Sequence, residues 1–211
     1  MINNKNPGRQ PSLRPKRMKA KERRKQILNV AQHVFAKENY ANATTAKIAA
    51  AAGITEPTIY MHFKSKKDLF IAVLKDNYAF IMEILEQIWE TPGNLHARYH
   101  TAIMEIASLI ESVHTDTAGL WVIASTVTDP DISSIIRRFD NELIAFVSQD
   151  IRDAARIENI SLNCNPELFA RIIISMMVYI TTLAMAGSKI NMDETACVLD
   201  LLLDSLLKTP A

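Results

Sequence analysis

Between residues 44 and 66 the chain reads TTAKIAAAAGITEPTIYMHFKSK, and this run holds its densest set of side chains able to do chemistry at a surface. Ile48, Ala49 and Ala52 supply one apolar face before Gly53. After that glycine, Ile54, Ile59 and Phe63 continue the core side. Thr55, Glu56, Thr58, Tyr60, Met61 and His62 are left over. Hydroxyl, phenol and imidazole groups donate to phosphate oxygens, and a carboxylate accepts from the N4 amine of cytosine. Pro57, or a threonine methyl, can touch a thymine methyl. Two short helices about one glycine, the second rich in such groups, form a helix-turn-helix whose second helix enters a DNA major groove.

The same residues resemble the DNA-binding domain of the TetR family of bacterial transcriptional regulators. The resemblance rests on Thr44-Thr45 before Ile48-Ala49, on Gly53-Ile54-Thr55, and on Thr58-Ile59-Tyr60-Met61-His62-Phe63-Lys64-Ser65-Lys66 with Asp68-Leu69-Phe70. It covers about residues 20–75; the remainder is similar in length and helical character. It implies that Thr58, Tyr60 and His62 meet the DNA backbone and that Lys66 meets a phosphate. It places Thr45, Lys47, Glu56 and Pro57 at base-reading positions. Thr44, Thr55 and Lys64 complete the expected DNA-binding set. One departure is Asn39, where the family usually has glycine; Asn tolerates a left-handed backbone, so the helix stop is kept. Another is Ala46, where some members carry a base-reading Arg.

The elements that hold this motif follow from periodicity and punctuation. Ile27, Val30, Ala31, Val34 and Phe35 recur at helical spacing, which predicts helix 1 from Lys19 to about Glu38. Thr44 and Thr55 are N-caps for helices 2 and 3, and Pro57 falls in the first turn of helix 3. Ser65 with Asp68 opens helix 4, which runs to about Trp89. Thr91-Pro92-Gly93 breaks it, and Asn94 caps helix 5 over 95–112, followed by helix 6 over 116–127. Asp129-Pro130 opens a long helix 7 to about Glu158, and Asn165-Pro166 opens helix 8 to about Ala186 before Gly187. Asn191 with Glu194 starts helix 9, ending near Leu207. The chain is therefore read as all-α, with about nine helices. Residues 1–18 form a basic flexible arm, 19–80 a helix-turn-helix domain with its motif at 44–63, and 81–211 a ligand-binding and dimerisation domain.

Charge divides the chain in the same way. Residues 1–80 carry 16 Lys/Arg against 5 Asp/Glu, a net +11; residues 81–211 carry 8 against 18, a net −10. One end suits a polyanion and the other is repelled by it. Lys5, Arg9, Arg14, Lys16 and Arg17 of the arm, with Lys19 and Lys21, can lie along phosphates or remain solvated. No apolar run follows the basic start, so no signal peptide is expected. Cys164 and Cys197 form no metal or redox motif, which suits a reducing cytoplasm.

In the second part, Met82, Trp89, Met104, Trp121, Met176, Met177 and Tyr179 are the candidates for a ligand pocket, because methionines adapt and aromatic faces are flat. For any one of them ordinary core packing is the commoner role. Ile172, Met176, Leu199, Leu202 and Leu206 are candidates for a dimer interface, since helices 8 and 9 carry more apolar surface than one small core needs. Leu168 to Ala186 borders on membrane-span length, but Arg171, Ser175 and Thr181-Thr182 interrupt it, so an interface or buried helix is expected. His96, His100 and His114 lack metal spacing, and no catalytic motif stands out. The expected protein is a cytoplasmic regulator, not an enzyme. It uses no cofactor or metal, binds operator DNA as a homodimer, acts as a repressor, and is released by a small molecule. Two rivals stay open: control by a protein partner or none, favoured by a solid second domain, and an enzyme, favoured by convergent acid, base or nucleophile groups in a cavity.

Overall fold

The structure is a computed structural model that describes residues 19–90, 93–112 and 115–206, without the side chains at 88–89, 109–112, 115–118 and 206. The arm at 1–18, Thr91-Pro92 and His114 lie outside the described residues, as do the side chains of Trp89 and Leu206. Among the described residues every regular element is an α-helix: α1 (Ala20–Asn42), α2 (Thr45–Ala51), α3 (Glu56–Tyr60), α4 (Lys66–Trp89), α5 (Leu95–Ser112), α6 (Thr115–Ser125), α7 (Pro130–Ile157), α8 (Pro166–Met185) and α9 (Met192–Leu206).

The predicted stops operate as local chemistry. Asn39 takes φ +57° and interrupts α1 just after Glu38, while its Oδ1 accepts from the N–H groups of Ala41 and Asn42 at 3.1 and 3.3 Å. The side-chain carbonyl thus offsets part of the cost of a positive φ in a residue with a Cβ. Thr44 Oγ1 accepts from Lys47 N, Asp129 from Asp131 N and Ile132 N, and Asn165 from Glu167 N. Each satisfies orphan donors of a first turn. Thr55 caps α3 by backbone conformation alone; its hydroxyl lies 2.9 Å from that of Thr58 instead.

Two main cores result. The first gathers Ile27 and Phe35 of α1, Ile48 of α2, Ile59 of α3, and Phe70 and Leu74 of α4. It does not close at the end of the helix-turn-helix unit. Leu120, Ile123 and Ala124 of α6 and Ile132 of α7 belong to the same buried cluster. The second joins α5, α7, α8 and α9 through Tyr99, Ile103, Ile144, Val147, Ile151, Phe169, Ile173, Leu199 and Leu203. α8 is long and apolar enough to cross a membrane by length and composition. Its apolar residues divide between two faces: Phe169, Ala170, Ile173 and Ile180 are buried, whereas Leu168, Ile172 and Tyr179 are exposed.

Candidate nucleic-acid interface and ligand cavity

α3 has five residues, too few to be stable alone, so packing must hold it. Ile59 and Phe63 anchor it in the first core. A polar bracket adds orientation. Thr45 is buried, and its hydroxyl donates to Glu56 Oε1 at 2.5 Å and lies 3.1 Å from the Tyr60 hydroxyl. Thr45 and Glu56, both expected at bases, therefore tie α2 to α3. Tyr60 stays half exposed and Met61, the C-cap of α3, is 79% exposed. Pro57 and Lys64 are exposed, and Thr58 and His62 are half-buried. Lys47 forms an ion pair with Glu38 and donates to Asn42 O.

Lys66, expected at a phosphate, is engaged internally. Its ammonium donates to Tyr40 O at 2.9 Å and Ala43 O at 3.0 Å, with Ala41 O at 3.4 Å, and lies 4.6 Å from the centre of the Tyr40 ring. A cation at the carbonyl end of α1 satisfies acceptors that the helix cannot. The next residue, Lys67, reaches Asp131 at 2.6 Å and Asp129 at 3.4 Å, joining α4 to the start of α7. Burial acts to raise the Asp129 carboxyl. The N–H groups of Ile132 and Asp131 and the Lys67 ammonium outweigh that, and its pKa lies below the ordinary 3.8.

The second part holds a partly open cavity of about 430 Å³ between α4, α5, α6, α7 and α8, within the range of small-molecule sites. Its walls are mostly aliphatic and aromatic, among them Ile81, Leu85, Ile103, Phe139, Leu143 and Ile173. Of the residues singled out from sequence, Trp121 and Met177 line it. Met104 and Met176 pack against the second core instead, Met82 is half-buried away from the lining, and Tyr179 is 63% exposed. Tyr78 was missed. It stacks on Phe139 at 4.2 Å, and burial together with the Glu142 carboxylate pushes its hydroxyl up to about 12. Arg98, Arg137 and Asp140 also line the cavity. The aliphatic lining carries the same helical periodicity as core, so no sequence signal separates the two. Arg98 alone carried one, as a basic residue between Leu95 and the apolar Tyr99–Ala102–Ile103 face.

The candidate dimer residues fall unevenly. Ile172 is exposed, but Leu199 is fully buried within the chain, and Met176 and Leu202 pack against the same core. One residue along α9, about 100° of rotation, separates that buried row from Val198 and Leu201, which are 50% and 66% exposed. His96 and His100 face Asp200 and Asp204 across α5 and α9 at 3.5–3.8 Å. Among the described residues no three His, Cys, Asp or Glu side chains group as a metal site.

Residues 27–73 match the family described as "Bacterial regulatory proteins, tetR family". The chain is 30% identical over 126 residues to the HTH-type transcriptional activator FasR of Mycolicibacterium smegmatis. That alignment covers 59% of this chain and 56% of the relative, so it spans just over half of the relative's length. The crystal structure of the transcriptional regulator FadR from Bacillus subtilis in complex with stearoyl-CoA superimposes with a TM-score of 0.72 at 22% identity, covering 86% of this chain and 98% of that one. AibR in complex with isovaleryl coenzyme A and operator DNA gives 0.71 at 16% identity, covering 88% and 100%. At these identities the two structures share a fold with this chain.

Proposed function

We propose, from the premise that this chain belongs to the TetR family of bacterial regulatory proteins, that it is a repressor which binds a palindromic operator as a homodimer and leaves it when a mainly apolar small molecule fills the cavity. The observation that carries this reading is the double duty of α6. One face, with Trp121, Val122 and Ser125, lines the cavity; the other, with Leu120, Ile123 and Ala124, is buried in the core of the helix-turn-helix unit. A ligand that displaces α6 must repack that core and so re-aim α3. Trp121 also donates to Asn77 of α4 at 2.8 Å, which couples the connecting helix to the same wall.

DNA contact is assigned to Thr44, Lys47, Thr55, Pro57, Thr58, Tyr60, His62 and Lys64, with Thr45 and Glu56 orienting α3 and Glu56 free to exchange its Thr45 bond for a base. Dimerisation is assigned to the exposed rows of α8 and α9, Leu168, Ile172 and Tyr179 with Val198 and Leu201, packed about a two-fold axis. The acyl-CoA complexes of the two structural neighbours make an acyl chain a fitting occupant for walls of this kind. A ligand preferring the released conformation 100-fold supplies about 2.7 kcal/mol, enough to shift occupancy strongly.

The test is a pair of measurements on one variant. Operator fragments are selected from the source genome, and ligands are screened by operator release. Ala102 is buried on the cavity wall. Ala102→Phe should fill the space, keep operator affinity within about threefold and abolish release. Normal release by the variant would refute the cavity as the effector site.

A further inference from the structure

Resting on the reading of the cavity as the effector site, we propose that Arg98 selects a ligand with a carboxylate head, whose apolar chain lies along α7. Arg98 is a half-buried cation of an otherwise mostly apolar wall, its side chain 16% exposed where the other lining cation, Arg137, is open to solvent. Its Nε is buried and meets no acceptor. Its Nη2 meets the Asp150 carboxylate only at 3.5 Å, and that same oxygen already accepts from the Tyr99 hydroxyl at 3.0 Å. A guanidinium has five donors in a planar fork suited to a carboxylate. Burying part of one, with one long contact among the described residues and a dry Nε, is costly unless another acceptor completes it.

The shape of the cavity favours the same ligand. On α7 the lining runs from Ile136 to Val147, about 16 Å of helix rise. Arg98 stands beside Asp150, past the Val147 end of that row, while Arg137 and Asp140 mark the opposite end. An extended aliphatic chain with its acid at Arg98 leaves its tail among Tyr78, Trp121 and Phe139 near α6, where the wall adjoins the helix-turn-helix core. The net charge of −10 on residues 81–211 opposes an anion at a distance, but screening confines that effect to about 8 Å at physiological ionic strength, whereas the Arg98 contact is direct.

The experiment titrates the full-length protein with dodecanoate, dodecan-1-ol and dodecylamine by calorimetry, using wild type, Arg98→Met and Arg98→Lys. Dodecanoate should bind wild type roughly 10- to 100-fold more tightly than the alcohol, the range for a hydrogen-bonded charge. That advantage should vanish in Arg98→Met and partly survive in Arg98→Lys, while alcohol affinity stays constant across all three. Equal binding of acid and alcohol by wild type overturns the proposal even if the Met variant fails to fold, as does tighter binding of the amine. Alcohol that binds and releases operator while the acid gains nothing would remove Arg98 selection and leave the cavity reading standing. Failure of all three probes would remove both.

Discussion

Replacing Lys66 by Met separates two roles that the sequence cannot distinguish. Methionine keeps an apolar stem of similar length against the Tyr40 ring and deletes the ammonium that closes the end of α1. The substitution removes two bonds, at 2.9 and 3.0 Å, to partly buried carbonyls, with a weaker third at 3.4 Å to an exposed one. A hydrogen bond from a charge contributes about 1.5–3 kcal/mol when its partner is left dry, and less where water replaces it. Partial burial puts the total at roughly 2–3 kcal/mol. Urea unfolding followed by circular dichroism should show a lower midpoint with an unchanged slope. Operator binding measured at several salt concentrations provides the second readout. If Lys66 instead neutralised one phosphate in each of two subunits, its replacement would flatten the slope of log K against log salt by about 1.8. Internal capping predicts an unchanged slope, with any reduction in affinity uniform across salt. An unaltered unfolding midpoint together with a flattened slope would refute the capping argument and return Lys66 to the DNA.

Glu at both Val198 and Leu201 should yield monomers in sedimentation at micromolar concentration, whereas the wild type sediments as a dimer; changing Leu202 instead should destabilise the subunit, since it packs inward. Asp129→Asn should lower stability at neutral pH and weaken its acid dependence. The folded pKa of Asp129 lies below 3.8, so its contribution is complete above that pH and is lost as pH falls through the folded value; urea midpoints at pH 7 and pH 3 measure this. Deleting residues 1–17 removes Lys5, Arg9, Arg14, Lys16 and Arg17 and should reduce the salt slope by about 0.9 for each phosphate they neutralise; an unchanged slope would identify the arm as solvated.

Local chemistry was legible from residue order alone. Caps at Thr44, Asp129 and Asn165, the stop at Asn39 and the prolines after the caps set helix boundaries to within a few residues, because each acts on backbone groups of its own turn. The helix-turn-helix was legible for the same reason: its spacing is short, and its leftover polar groups had no core to serve. The partition of charge needed no fold at all. What lay beyond sequence were choices between faces. Leu199 and Leu201 are both leucines of α9, two residues apart, yet one is buried and the other is bare, because helix rotation against α5 decides which row turns inward. Met104 and Met177 are alike in chemistry and both pack against the second core, and only the packing of five helices determined that Met177 also lines a cavity. Lys66 reads as a surface cation until α1 brings three carbonyls to it, from 23 to 26 residues away in the chain. Side-chain type fixes what a residue can do; the neighbours that tertiary packing supplies decide which of those things it does.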